Sequence, residues 1–89
     1  MNDQMKNINC LKDLVCGQCA MVTELVTEGS MRRRLQDMGL IAGTNVKCIL
    51  KSPLGDPTAY LIRGAVIALR EEDVGGVIVE YNEKRKNIE

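Results

Sequence analysis

The stretch SMRRRLQDMGLIAG, at residues 30–43, constrains the fold of this chain more than any other, because it describes a short helix and its end. Met31, Leu35 and Met38 stand at i, i+4 and i+7, a spacing that puts three apolar side chains on one helix face. We therefore predict a helix over about residues 30–38. A helix of this length is only marginally stable by itself, so its apolar face must pack against the rest of the fold.

Both ends of the predicted helix carry recognisable signals. Ser30 is a favoured N-cap residue, because its hydroxyl can accept a hydrogen bond from a free backbone N–H group of the first turn. Gly39 suits the left-handed conformation that often follows a helix, which would let Leu40 fold back onto Leu35. The segment thus predicts where the helix starts, where it stops and which face is buried.

Three consecutive basic side chains lie near the start of this helix: Arg32, Arg33 and Arg34. The helix dipole disfavours cations there by roughly 0.3–1 kcal/mol each, and it disfavours the carboxylate of Asp37 near the other end by a similar amount. Residues that oppose local stability are candidates for function. Two interpretations stay open: a solvated face whose arginines pair with Glu24 or Glu28, or a surface that binds an acidic partner.

The bulk composition excludes several functional classes. Twelve basic and twelve acidic residues cancel, so no net charge draws the chain to a nucleic acid, and two tyrosines without Phe or Trp offer little for base stacking. The chain lacks histidine, a phosphate-binding glycine loop and an evident activated nucleophile. We therefore expect a protein that is not an enzyme and that binds no nucleic acid.

The same sequence predicts a cytoplasmic protein that does not insert into a membrane. Residues 1–14 lack the apolar core of a secretory signal, and the longest apolar run, residues 65–69, is far shorter than the roughly 20 residues that cross a bilayer. In a reducing compartment the four cysteines are expected to be thiols.

Short alternating segments separated by turn residues predict a small β-domain. About five strands are expected, at residues 20–26, 45–51, 58–63, 65–69 and 77–81. In the second of these, Val46, Cys48 and Leu50 are expected on one buried face, and residues 65–69 are expected to form a more fully buried strand. Strands this short leave open edges unless the sheet curls, so the expected fold is mainly β, a small, partly open antiparallel barrel with one inserted helix.

One domain accounts for most of the chain in this interpretation. Residues 8–81 are expected to form it, and residues 82–89 are expected to be a charged, disordered tail.

The loop SPLGDP, at residues 52–57, is the second informative segment. Pro57 favours an extended Asp56, and Gly55 can adopt a positive φ, so the loop is expected to hold one shape. Leu54 is then an apolar side chain near the tip of a rigid loop. Either Leu54 packs back onto its own barrel, or it anchors a partner, since an ordered loop loses little entropy on binding.

Several ordered blocks of this sequence resemble the pattern of the FeoA-domain family. The blocks, in chain order, are Leu35-x-x-Met38-Gly39-Leu40-x-x-Gly43-Thr44, Pro53-Leu54-Gly55-Asp56-Pro57, Ile62-x-Gly64 and Leu69-Arg70. The match runs from about residue 11 to about residue 79. The resemblance implies a small SH3-like β-barrel with an inserted helix, in agreement with the strand pattern.

The same resemblance implies a function. Stand-alone members of the family are cytoplasmic accessory proteins of the bacterial Feo ferrous-iron transport system, and they are thought to act on the membrane transporter FeoB, whose cytoplasmic part carries a GTP-binding domain. A similar domain ends some metal-dependent transcriptional repressors. The matching positions are turn glycines, turn prolines and core residues, so the resemblance carries over no catalytic residue.

The chain departs from the family pattern at residues 16–19, where it reads CGQC. Two thiolates three residues apart can bind Zn²⁺ or a similar soft cation, but a structural site needs four ligands. Cys10 and Cys48 would complete such a site only if the fold brought them close. We therefore expect no cofactor, with Cys16 and Cys19 as weak candidates for binding a divalent metal.

Two functional hypotheses follow. In the preferred one, the chain is a regulatory interaction module for ferrous-iron uptake that binds the cytoplasmic part of FeoB, with Leu54 and the three arginines as candidate contacts. In the alternative, the chain is a metal-responsive module in which Cys16 and Cys19 bind a divalent transition metal and change the affinity for a partner.

Overall fold

The computed structural model describes residues 8–81, which form one antiparallel sheet of six strands in the order β1-β6-β2-β3-β4-β5. The strands are β1 Ile8–Cys10, β2 Cys19–Leu25, β3 Asn45–Lys51, β4 Thr58–Ile62, β5 Ala65–Leu69 and β6 Val77–Tyr81. Two helices, α1 Gly29–Asp37 and α2 Glu71–Val74, and a 3₁₀ turn at Leu11–Asp13 complete these elements. The predicted tail at residues 82–89 lies outside the described residues.

The described strands enclose one core that is built almost entirely from aliphatic side chains, which confirms the predicted small β-fold. Its largest fully buried members are Tyr60, Leu11, Leu14, Leu35, Leu40, Ile62, Val22, Val46, Val74, Val77, Val79 and Cys48. The sheet is open, with β1 and β5 as its edges in the part of the chain described. Strand β1 exceeds the predicted number, because a strand of three residues is too short to show an alternating pattern.

Helix α1 ends as its sequence predicts. The Leu40 N–H donates to the Leu35 carbonyl at 3.0 Å and the Gly39 N–H donates to the Gln36 carbonyl at 2.9 Å, which together form a Schellman motif. Gly39 has φ +107°, the left-handed conformation expected there. Leu35 and Leu40 are fully buried, and the two methionines of the predicted face pack against the same core. The apolar face predicted from the spacing is confirmed.

The start of α1 differs from the prediction. The helix begins at Gly29 after an extended Glu28, and no side-chain hydrogen bond caps it. Gly29 has φ +69°, which lets the chain turn from the extended residue into the helix. Ser30 therefore lies inside the first turn, and the prediction that it caps the helix is wrong.

A β-bulge in β3 reverses the predicted orientation of one residue. The pairing of β3 with β4 shifts between Cys48 and Leu50, so Ile49 is an extra residue in the ladder. Side chains alternate with a period of two, and one extra residue moves those that follow to the other face. Val46 and Cys48 are buried as predicted, but Leu50 is 63% exposed, so its predicted burial is wrong.

Strand β5 also differs from the prediction. It pairs with β4 and forms an edge of the described sheet, and Leu69 is its one buried residue. Val66 is 64% exposed, and Ala65 and Ala68 are exposed as well. An uninterrupted apolar run is typical of a strand covered on both faces, whereas this run lies at an edge with one face towards solvent. The predicted fuller burial of residues 65–69 is therefore wrong.

Across residues 8–81, no helix combines the length and the apolar character that crossing a membrane requires.

Two ionisable side chains of the described residues meet in the core. Cys48 and Tyr60 lie opposite each other on β3 and β4, and the Tyr60 hydroxyl is 3.5 Å from the Leu11 carbonyl oxygen. Burial raises the pKa of the Cys48 thiol from 9.0 to about 11, with a smaller effect from the neighbouring Cys16 thiol. Burial also raises the pKa of the Tyr60 hydroxyl from 10.0 to about 12.

Alkaline pH is expected to destabilise the fold through these two groups. In the unfolded chain they ionise near pH 9.0 and 10.0, but in the folded chain they stay neutral up to about pH 11 and 12. Their contribution to stability is therefore complete below about pH 9 and is lost as the pH rises through the folded values, by roughly 1–3 kcal/mol per group. Denaturant unfolding at increasing pH measures this loss. Tyr60→Phe keeps the ring and removes one titrating group, so it should lose less stability above about pH 10; an equal loss would contradict the assignment.

Candidate interaction surface

Strand β4 places apolar side chains on the outside of the sheet. Thr58, Tyr60 and Ile62 are buried along this strand. The alternating residues Ala59 and Leu61 therefore point to the outer side, and both are partly exposed.

The register continues this arrangement across three strands. Leu50 of β3 lies opposite Ala59, which lies opposite Ala68 of β5, and Leu61 lies opposite Val66 of β5. We call these five side chains the apolar outer face. Because cross-strand neighbours lie about 4.5–5.5 Å apart at Cβ, they form a contiguous patch.

An apolar outer face is unusual for a sheet that is partly exposed to solvent. Antiparallel sheets that face water on one side usually carry polar residues there. Single apolar residues on a surface are ordinary, whereas the largest contiguous apolar patch of a small protein is often a functional surface. The sequence held one signal of this patch, because Ile49 and Leu50 are consecutive apolar residues in an otherwise alternating strand, as at a bulge.

Basic side chains border the apolar outer face. Lys47 lies opposite Leu61 on the same side of the sheet, and Arg63 follows in the turn between β4 and β5. Together with neighbouring residues, Lys47, Leu61 and Arg63 line a shallow groove of about 270 Å³. The strands β3, β4 and β5 contain no aspartate or glutamate. The surface therefore suits a partner that presents apolar and acidic groups.

The loop between β3 and β4 presents a further apolar side chain. Leu54 is 93% exposed, so it does not pack back onto the barrel. The Ser52 hydroxyl donates to the Asp56 carbonyl at 2.7 Å and accepts from the Asp56 N–H at 3.0 Å, and the Gly55 N–H donates to the Ser52 carbonyl at 2.8 Å. These hydrogen bonds order the loop around an exposed Leu54, and its role as an anchor for a partner stays a prediction.

Asp56 has a role that sequence reasoning missed. Its side-chain carboxylate accepts a hydrogen bond at 2.8 Å from the N–H of Glu71, the first residue of α2. A carboxylate in this position satisfies a free backbone donor and complements the helix dipole. Asp56 thus ties the Leu54 loop to the body of the fold. No local pattern identifies this contact, because its two residues are 15 positions apart.

The three arginines of α1 lie in different environments. Arg32 donates through Nη1 to the Leu25 carbonyl at 2.8 Å, which fixes the connection between β2 and α1. Arg34 approaches a methionine sulfur of its own helix at 4.0 Å. Arg33 is exposed, and none of the three forms an ion pair with another residue of the described range, the nearby glutamates included. All three side chains are exposed, and Arg34 lies in the last turn of α1 rather than near its start, where it was predicted. A role of these arginines in partner binding stays a prediction.

The structure places the two candidate metal ligands in different surroundings. The Cys16 thiol neighbours the Cys48 thiol, whereas Cys19 is exposed in β2 and lies opposite Lys47. Within residues 8–81, no three cysteine, histidine or acidic side chains are grouped so that they could hold a metal ion. Divalent metal binding by Cys16 and Cys19 stays a prediction.

Comparisons with known proteins identify the family of this chain. The model of the FeoA domain matches residues 10–81. The solution NMR structure of an FeoA protein from Chlorobium tepidum matches with a TM-score of 0.77 and 34% identity, covering 83% of this chain and 70% of that chain. FeoA from Stenotrophomonas maltophilia, solved in complex with zinc and described as an SH3 domain protein, matches with a TM-score of 0.72 and 25% identity, covering 81% and 89% of the two chains.

A curated relative links this domain to a transporter. It is a fusion of Fe(2+) transport protein A with the Fe(2+) transporter FeoB, from Porphyromonas gingivalis. The relative is 31% identical over 70 residues, which make up 79% of this chain. The chain spans only 8% of the length of that relative.

Proposed function

The chain belongs to the FeoA domain family, which is associated with Fe(2+) transport, and we propose that it regulates ferrous-iron uptake, without enzymatic activity, by binding the cytoplasmic part of the FeoB transporter. The observation that carries this proposal is the apolar outer face of β3, β4 and β5. Its in-register side chains are exposed or partly exposed, and a partner that covers them gains the free energy of apolar burial.

The fusion protein of Porphyromonas gingivalis supports FeoB as the occupant of this surface. In that relative the two parts belong to one chain. Linking two modules raises their effective concentration for each other to about the millimolar range, which favours a weak contact between them. A separate chain must obtain its affinity from its own surface, and the apolar outer face with its basic border offers such a surface.

The proposed contact combines three elements of the structure. The apolar outer face supplies the centre, and Lys47 and Arg63 supply a border that steers an acidic partner. Leu54 adds an apolar side chain on a loop that is already ordered, so binding costs little further entropy. Residues that become fully desolvated near the centre of an interface contribute most to its affinity.

Direct titration tests this function. The chain is added to FeoB from the same organism, both as the full transporter in lipid nanodiscs and as its isolated cytoplasmic part, with and without a guanine nucleotide. We expect saturable binding to both preparations. Binding to neither preparation would overturn the proposal. Binding to the full transporter alone would contradict the cytoplasmic part as the whole binding site.

The arginines of α1 are expected to contribute to the contact with FeoB. We predict that Arg33→Glu weakens the association with the cytoplasmic part of FeoB several-fold, because it reverses a charge that would face an acidic partner. Thermal stability should be nearly unchanged, because Arg33 is exposed in the middle of α1, where the helix dipole has little effect. Lys12→Glu makes the same charge change on the exposed 3₁₀ turn and serves as the matched control. Equal binding by the parent and Arg33→Glu would contradict a role for this residue.

A metal-responsive module is the second candidate function, and the zinc complex of the Stenotrophomonas maltophilia relative favours testing it. In this case Cys16 and Cys19 would bind a divalent ion and change the affinity for the partner. Titration of Fe²⁺ and Zn²⁺ into the parent and a cysteine-free variant separates the two functions. Stoichiometric binding that disappears in the variant would favour the metal-responsive module.

A further inference from the structure

The short segment before β2 is folded onto β3 at a single residue. The Gly17 N–H donates to the Cys48 carbonyl at 2.7 Å, and the Cys48 N–H donates to the Gln18 carbonyl at 3.0 Å. Gly17 has φ +89°. Two residues opposite one, with a left-handed glycine as the first, form a G1 bulge. Residues 17 and 18 are therefore held by both backbone groups of Cys48, its carbonyl and its N–H.

A tight turn leads into this bulge and places Cys16. The Gln18 N–H donates to the Val15 carbonyl at 3.0 Å, and the Gln18 side-chain oxygen accepts from the Val15 N–H, also at 3.0 Å. The turn needs glycine in its third position, because a positive φ is required there. Cys16 occupies the second position of the turn, directly before Gly17, whose N–H is hydrogen-bonded to the Cys48 carbonyl.

This geometry brings together two thiols that lie 32 positions apart in the sequence. The Cys16 thiol is exposed and neighbours the Cys48 thiol, whose residue is fully buried. The spacing of residues 16–19 favours Cys16 and Cys19 as the pair, but the turn directs Cys16 to Cys48 instead. One accessible thiol beside one buried thiol is the arrangement of an attacking cysteine and a resolving cysteine.

We propose that Cys16 and Cys48 form a reversible intramolecular disulfide by exchange with a low-molecular-weight disulfide such as oxidised glutathione. The Cys16 thiolate attacks one sulfur of this disulfide, which forms a mixed disulfide at Cys16 and releases one small thiolate. The Cys48 thiolate then attacks the Cys16 sulfur and releases the second small thiolate. The two protons lost by the cysteines go to the two released thiolates. The protein loses two hydrogens, and one small disulfide becomes two small thiols.

The environment of the two sulfurs sets the rates of these steps. The Cys48 thiol is buried and its pKa is raised, so its thiolate forms rarely and the mixed disulfide at Cys16 is expected to accumulate first. In the reverse direction an incoming thiol reaches the exposed Cys16 sulfur and must expel the Cys48 thiolate. A thiolate of high pKa is a poor leaving group, so reduction is expected to be slow.

Thiol mapping in a glutathione redox buffer tests the proposal without any transporter. The parent is quenched with an alkylating agent, digested with trypsin and analysed by mass spectrometry for a disulfide between residues 13–32 and residues 48–51. The first peptide holds both Cys16 and Cys19, so Cys19→Ser is needed to assign the bond. We expect the linked peptides in the parent and in Cys19→Ser, and their loss in Cys16→Ser.

Cys16→Ser changes an exposed residue, so its fold should persist, whereas Cys48→Ala alters the core and is not needed for the test. The time course provides a second measurement, in which the glutathione adduct of Cys19→Ser should appear before the linked peptides and then decline. Linked peptides in Cys16→Ser at the level of the parent would overturn the proposal. So would a stable adduct at Cys16 that never resolves.

Discussion

Replacing Leu50 by aspartate is expected to reduce the affinity for the cytoplasmic part of FeoB by at least about tenfold, which corresponds to roughly 1.4 kcal/mol. Leu50 is the residue of the apolar outer face that lies on β3, opposite Ala59 of β4, and it is 63% exposed in the free domain. In the complex, the partner covers position 50. An aspartate carboxylate there would lose its hydrating water without gaining a hydrogen-bond or ion-pair partner in return. In the free chain the same carboxylate stays hydrated, and the fold should tolerate it.

Isothermal titration with the cytoplasmic part of FeoB measures this loss. Val26→Asp is the matched control, because Val26 is 56% exposed and lies outside the apolar outer face, between β2 and α1. We expect near-parental affinity from the control and unchanged circular dichroism from both variants. Equal losses in the two variants would point to a general effect of added negative charge and would remove the outer face from the proposed contact.

Leu50→Asp also tests whether a second copy of the chain, rather than FeoB, covers the apolar outer face. If two copies bury the apolar outer face against each other, the parent runs as a dimer in size-exclusion chromatography and Leu50→Asp runs as a monomer. This outcome, combined with unchanged affinity for FeoB, would assign the surface to self-association.

Replacing Leu35 by alanine is expected to lower the free energy of unfolding by about 2–5 kcal/mol. Leu35 is the fully buried residue of α1 and packs in the core of the sheet. Its truncation removes apolar contacts and leaves a cavity, since the surrounding core relaxes only in part. A helix of nine residues has little stability of its own, so weaker docking also loosens the helix. Small domains are stable by only about 5–15 kcal/mol, so this is a large fraction of the total.

Equilibrium unfolding in urea measures the effect of Leu35→Ala. Gln36→Ala, at the exposed neighbouring position, is the control and should change stability by less than about 0.5 kcal/mol. A loss of similar size in both variants would mean that helix propensity dominates. A negligible loss in Leu35→Ala would contradict the docking of α1 through this residue.

Features that depend on neighbouring residues were predicted well from the sequence. The end of α1 needs a left-handed glycine and a following apolar residue, and both stand at Gly39 and Leu40. The strands predicted at residues 58–63 and 65–69 leave room only for a tight turn, and the structure has one at Arg63 and Gly64, both with positive φ. The family blocks also fall at such turn and core positions. These features are decided within a few residues, so a local pattern suffices.

The candidate surface was predicted only in part. Leu54 could be identified because glycine and two prolines define its loop, but its exposure depends on Asp56, whose carboxylate reaches α2. Arg32 could be distinguished from its two neighbours only when its hydrogen bond to the Leu25 carbonyl was seen. The apolar outer face was missed, because the pattern of β3 assigned Leu50 to the core.

By itself, the sequence determined the short helix and its end, the tight turns and the assignment to a small β-domain of the FeoA family. The tertiary structure decided which side each residue faces. The bulge at Ile49 turns Leu50 outward, the edge position of β5 exposes Val66, and the turn before β2 places Cys16 beside Cys48. The physical reason is that strand register and edge position are set by hydrogen bonds between distant segments, and a shift of one residue exchanges the two faces of a strand.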